Sequence, residues 1–100
     1  MYIVAVRFEI SPEHAASFRA AVSKNAAASE ATEPGCRQFD ACFNADGTHC
    51  FLYEVYQDEA AFGVHRASAH FATFSQAIEG SVVNKRLELY DLPDNPYKDL

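Results

Sequence analysis

Basic residues are scarce in this chain. Eight lysines and arginines stand against fourteen aspartates and glutamates, for a formal net charge of −6. Nucleic acid and anionic membranes both require a basic face, so neither is expected as a partner. Long apolar runs are missing too. None approaches the roughly 20 residues that span a bilayer, and Met1 leads directly into a strand pattern, so neither a transmembrane helix nor a signal peptide is expected. Cysteine is limited to Cys36, Cys42 and Cys50, an odd set without C-x-x-C spacing. That favours reduced thiols and a cytoplasmic protein over a disulfide framework. Cys42 and Cys50 flank a predicted hairpin turn and can lie opposite each other; they also read simply as small apolar strand residues. Thiols and imidazoles do not cluster at ligand spacing, so no metal site is expected. Glycine and proline number four each, and no repeat, low-complexity segment or second domain is visible.

What is present is a globular composition, 49% hydrophobic over 100 residues, enough for one modest core. Residues 2–10 alternate as a strand, with Tyr2, Val4, Val6, Phe8 and Ile10 on one face. Ser11-Pro12-Glu13 is a helix start, and the alanine-rich segment after it is predicted helical to about Ala31. Its apolar stripe begins with Phe18 and Val22 and ends in two polar residues, Asn25 and Ser29. These either bond to backbone or line a pocket. Glu33-Pro34-Gly35 stops the helix. A second strand is predicted from Arg37 to Asn44 and a third from Thr48 to Tyr56, joined by an Asp46-Gly47 turn. Cys50, Leu52, Glu54 and Tyr56 share one face of the third strand; Phe51, Tyr53 and Val55 share the other.

Asp58 caps a second helix, predicted from Glu59 to Glu79 with a break near Arg66–Ser68. Gly80 ends it, and a last strand covers Val82 to Leu92. Pro93 to Leu100 form a polar tail. The domain therefore comprises residues 1–92. Strand, helix, strand, strand, helix, strand is the ferredoxin-like βαββαβ order, an α+β fold with an antiparallel sheet and helices on one face. The uncovered face is too apolar for water, which predicts a homodimer joined through the sheet faces.

Glu54 is a carboxylate in an otherwise apolar strand, and His65 and His70 follow on the next helix. Charged and polar groups so close to a buried strand are costly unless paired or used. Asn25-Ala26-x-x-Ser29, Glu33-Pro34-Gly35-Cys36, Phe51-Leu52-Tyr53-Glu54-Val55-Tyr56-x-Asp58-x-x-Ala61 and His65-x-x-Ser68-x-His70-Phe71 together resemble the antibiotic biosynthesis monooxygenase domain. The resemblance runs over nearly the whole chain and is nearest the small-molecule, quinol-oxidising branch. It implies a dimeric α/β barrel. Family members include cofactor-free oxygenases of phenols and quinols, haem-degrading enzymes, and isomerases of small phosphorylated sugars such as processed autoinducer-2. The haem-degrading branch typically uses a tryptophan and a first-strand asparagine, and this chain has neither.

Cofactor-free oxygenation requires an electron-rich phenolate, a base to make it, and a dry pocket for oxygen. The sequence offers His65, Glu54 and Asn25 as the candidate catalytic residues, with His65 as base, Glu54 orienting it and Asn25 bonding a substrate oxygen. Ser29, Phe39, Phe51, Tyr56, His70, Phe71 and Phe74 are the candidate substrate-binding residues; no cofactor and no metal are implied. Glu54 and His65 can equally be a buried structural pair, His70 an ordinary helix-surface residue, and the phenylalanines core. Proton-transfer chemistry on a small polar metabolite and a non-catalytic dimeric ligand-binding module are the alternative functions.

Overall fold

The computed structural model describes residues 1–93. The tail predicted from Pro93 onward lies, apart from Pro93 itself, outside them. Four strands form one antiparallel sheet: β1 (Tyr2–Ile10), β2 (Cys36–Phe43), β3 (His49–Tyr56) and β4 (Val82–Asp91), in the order β2-β3-β1-β4. Three helices, α1 (Ala15–Thr32), α2 (Glu59–Arg66) and α3 (Ala69–Ala77), complete the ferredoxin-like fold. None of the described helices is long and apolar enough to cross a membrane.

The β1 alternation works as expected. Val4, Val6, Phe8 and Ile10 are buried on the helix side with Phe18 and Val22 of α1. Phe8, Phe18 and Phe74 meet edge to face, with ring centroids 5.1 to 6.4 Å apart. That geometry suits the aromatic quadrupole and ties strand, long helix and last helix into one core. The buried residues of α1 are Phe18, Val22, Asn25 and Ser29, so the polar pair does continue the apolar stripe inward.

Helix starts follow local chemistry with one exception. The Asp58 carboxylate accepts from the Ala61 N–H at 2.8 Å and starts α2. Ser68 accepts from the Phe71 N–H at 3.2 Å and starts α3, so the predicted long helix is broken in two where a second cap competes with continuation. Ser11 does not cap. Its hydroxyl bonds His14 Nδ1 at 2.7 Å, and a single 3₁₀ turn over Pro12–His14 precedes α1. At Gly35, where α1 turns into β2, a methyl group would fall 2.5 Å from the Ala61 Cβ, so only glycine lets α2 approach this closely.

Cys42 and Cys50 do not face each other. The β2–β3 register pairs Cys42 with Phe51 and Phe43 with Cys50, which puts one thiol outside and the other in the core. Burial pushes Cys36 up to about 11 and Cys50 up to about 12, so both stay protonated and unreactive.

Candidate active site

Between the sheet and the helices lies a cavity of about 300 Å³. Strand alternation sends Glu54 and Leu52 of β3 into it from below, beside Val4 and Val6 of β1. Asn25 of α1, His65 of α2 and Phe71 and Phe74 of α3 come down from above, and Phe39 of β2 closes one side. Each arrives because its element is amphipathic and this is its buried face. His65 is 2% exposed and ringed by aromatic groups, with Phe39, Tyr56 and Phe71 centroids 5.2 to 5.6 Å from its own.

The expected Glu54–His65 hydrogen bond is not made. The carboxylate that holds His65 is Glu33, whose Oε2 lies 2.9 Å from His65 Nδ1. Ser29 Oγ is 3.2 Å from the same nitrogen and donates its own proton to the Asn25 carbonyl at 2.7 Å, so it can only accept from the ring. Both partners therefore place the proton on Nδ1, an assignment made from the hydrogen-bond network. Nε2 is left as an acceptor with no hydrogen bond to a described residue. The polar side-chain atoms that are both sealed and unpartnered among the described residues are Asn25 Oδ1 and Glu33 Oε1, so Nε2 opens on the cavity. Burial holds the imidazole below its ordinary value, with Glu33 working in the opposite direction.

Glu54 has a different anchor. Tyr56, two residues along the same strand face, donates its hydroxyl to Glu54 Oε1 at 2.5 Å. Burial pushes the Glu54 carboxyl up to about 7; the Tyr56 hydrogen bond and distant Lys85 offset this only in part, and the Glu33 charge adds to it. With Oε1 accepting from Tyr56, the acidic proton belongs on Oε2. The same burial keeps the Tyr56 phenol protonated. The cavity is thus faced by a neutral imidazole with a free lone pair and by a carboxyl group that is still half protonated near neutrality. Asn25 adds a carboxamide whose Oδ1 has no partner.

Four of the sequence-derived substrate-binding assignments change. Phe51 lies on the opposite sheet face, under the Arg7 guanidinium at 5.2 Å, and does not line the cavity. Tyr56 is fully buried behind Glu54 and Ser29 behind His65; both position other groups and neither lines the cavity. His70 donates to Glu33 from the far side and lines a second cavity instead, with Thr73 and Ala28. Sequence reasoning missed the role of Glu33, taken as part of a helix stop, and the cavity residues Phe62 and Arg66. The expectation that imidazoles do not cluster is also corrected, since Glu33, His65 and His70 bring donor atoms within 4.8 Å of one another.

Residues 1–77 match the family model described as antibiotic biosynthesis monooxygenase. No curated protein sequence matches. Among solved structures, a proposed antibiotic biosynthesis monooxygenase from Nitrosomonas europaea is 26% identical, with a TM-score of 0.86 over 92% of this chain and 98% of that one. Another from Bacteroides thetaiotaomicron is 28% identical, with a TM-score of 0.81 over 92% and 87%. A proposed monooxygenase from Lactobacillus acidophilus, 24% identical, shares the fold with a TM-score of 0.84; the match covers 88% of this chain and 42% of that one.

Proposed function

Because the chain belongs to the antibiotic biosynthesis monooxygenase family, we propose that it oxidises a small quinol or related phenol with molecular oxygen and without a cofactor. The observation that carries this is the pair His65 and Glu54, each held from behind by a buried partner and both facing one aromatic-walled cavity.

The chemistry requires one group that takes protons and another that gives them. His65 Nε2 takes the hydroxyl proton of the quinol, and the Asn25 carboxamide hydrogen-bonds the phenolate oxygen. The ring carbon gives two electrons to dioxygen and forms a carbon–oxygen bond, yielding a hydroperoxide. The proton held by His65 completes the hydroperoxide. His65 Nε2 then takes the ring proton as the oxygen–oxygen bond breaks and a new carbonyl forms. The departing hydroxide receives a proton from Glu54 Oε2 and leaves as water, and the proton on His65 restores Glu54. One quinol and one dioxygen give one hydroxyquinone and one water. The same burial shifts the two in opposite directions, keeping the imidazole neutral and the carboxyl protonated, as this division of labour demands. Phe39, Phe62, Phe71 and Phe74 keep water scarce, while exposed Arg66 and Lys85 favour an anionic substrate. A cavity of about 300 Å³ accommodates one or two fused rings. The mainly apolar lining favours this over isomerisation of a polar sugar.

The test is an oxygen electrode with a panel of reduced naphthoquinones and benzoquinones. Wild-type protein should consume one dioxygen per quinol, with hydroxyquinone as the product. Uptake at the uncatalysed rate across the whole panel refutes the assignment.

The homodimer belongs to the same proposal. Among the described residues, Tyr90 of β4, paired with Ile3, is exposed on the sheet face that the helices leave bare, while Leu87 and Leu89, paired with Val6 and Val4, are exposed at the edge of the helix-side face. A second copy of that face is the natural cover. Sedimentation at micromolar concentration should give twice the 11.1 kDa chain mass; a monomer would remove this part. The three unpaired thiols accord with a reducing, cytoplasmic setting.

A further inference from the structure

His70 and Glu33 have more in common with His65 than the oxidation needs. Glu33 sits at the end of α1, His65 in the last turn of α2 and His70 in the first turn of α3. The helix break at Ala67–Ser68 turns His70 back toward His65. Glu33 Oε2 is 2.9 Å from His65 Nδ1 and also accepts from His70 Nε2, while Glu33 Oε1 is sealed with no partner. A sealed carboxylate oxygen without a donor is uncommon and costs free energy. One carboxylate and two imidazoles, from three separate elements, thus converge on one point.

We propose that Glu33, His65 and His70 bind a divalent first-row transition ion, zinc being the natural occupant of such a donor set. Two imidazoles and one carboxylate are a recurrent three-ligand set for zinc, with an open fourth position. Imidazole donors favour zinc, cobalt and nickel over magnesium and calcium, which prefer oxygen. Ligands bonded to one ion at about 2.1 Å can lie at most about 4.2 Å apart. The three donor atoms here already lie within 4.8 Å of one another, so any remaining closure is small. The ion takes the place of the two N–H protons now pointing at Oε2, and Oε1 gains a cation beside it.

Binding has a consequence for the oxidation, and this clause alone rests on the function proposed above. An ion on His65 Nδ1 moves the ring proton to Nε2. The nitrogen facing the cavity then donates and no longer accepts, so the ion silences the base.

Cobalt serves as the probe. Metal-free protein carrying Cys42→Ser, which removes the exposed thiol, is titrated with Co²⁺ and followed by its visible ligand-field bands. One equivalent should bind with the intense bands of four- or five-coordinate cobalt, and Zn²⁺ should displace it. His70→Gln keeps a hydrogen-bond donor for Glu33 but is a poor ligand; it should fold and lose at least about tenfold in affinity. His14→Ala, at the surface, should change nothing. Absent bands, or equal affinity in His70→Gln, overturn the site. If quinols are not turned over at all, the function fails and the cobalt spectrum still decides the metal site. If they are, one equivalent of Zn²⁺ should slow oxygen uptake by the wild type.

Discussion

Replacing His65 by alanine should lower kcat for quinol oxidation by about 10²–10⁴-fold, the usual contribution of a positioned base. KM should change far less, because the walls of the cavity that bury the substrate remain. The substitution removes the Nε2 lone pair that faces the cavity and leaves Glu33 without one of its donors. Loss of rate alone would not separate catalysis from damage to the Glu33–His65–Ser29 cluster. Added imidazole does separate them. The deleted ring leaves a space that a free imidazole can enter, and partial recovery of rate with unchanged thermal stability marks a chemical role. A variant that keeps wild-type activity would overturn His65 as the base.

Glu54→Gln should have two effects that reach in different directions. The amide keeps an oxygen for the Tyr56 hydroxyl, so the local packing is retained. It cannot deliver a proton, and the rate at neutral pH should fall by about 10²-fold or more. In the wild type the acid must be protonated, so activity is lost as pH rises through about 7. That alkaline limb should vanish in Glu54→Gln.

Stability moves the other way. The native carboxyl holds its proton up to about 7, whereas the unfolded one releases it near its ordinary value of 4.5. Between these values the native state binds more protons, so wild-type stability falls as pH rises. A shift of about 2.5 units corresponds to roughly 3 kcal/mol. Glutamine does not titrate. Relative to their difference at pH 4, Glu54→Gln should therefore gain roughly 3 kcal/mol on the wild type by pH 8, with the change concentrated between pH 4.5 and 7. Denaturant unfolding at several pH values measures it, and a difference independent of pH would show that Glu54 is not buried as described.

Parts of this site were legible before any coordinates. Alternation along β3 puts Glu54 on one face with Leu52 and Tyr56. By the same rule it excludes Phe51, which is an odd number of residues away; the aromatic character of Phe51 outweighed the parity that should have removed it. Tyr56, two residues from Glu54 on that face, is its natural hydrogen-bond partner. The stripe of Phe18, Val22, Asn25 and Ser29 follows from helical spacing alone. Glu33 was hidden for a different reason. Next to Pro34-Gly35 it reads as the end of a helix, and its 32-residue separation from His65 carries no periodicity that would connect them.

Composition, alternation and capping residues determined by themselves the order of elements, the buried faces of β1 and α1, and the break between α2 and α3. These are local properties, set by backbone geometry within a few residues. Which carboxylate would hold His65 was decided by the tertiary structure. The choice between Glu33 and Glu54 depends on where the end of α1 falls against α2, and that is set by close packing at Gly35 and Ala61 and by the crossing of three helices over the sheet. The weakened acidity of Glu54 was decided there too, because the lost hydration that causes it comes from neighbours on the other elements around the cavity.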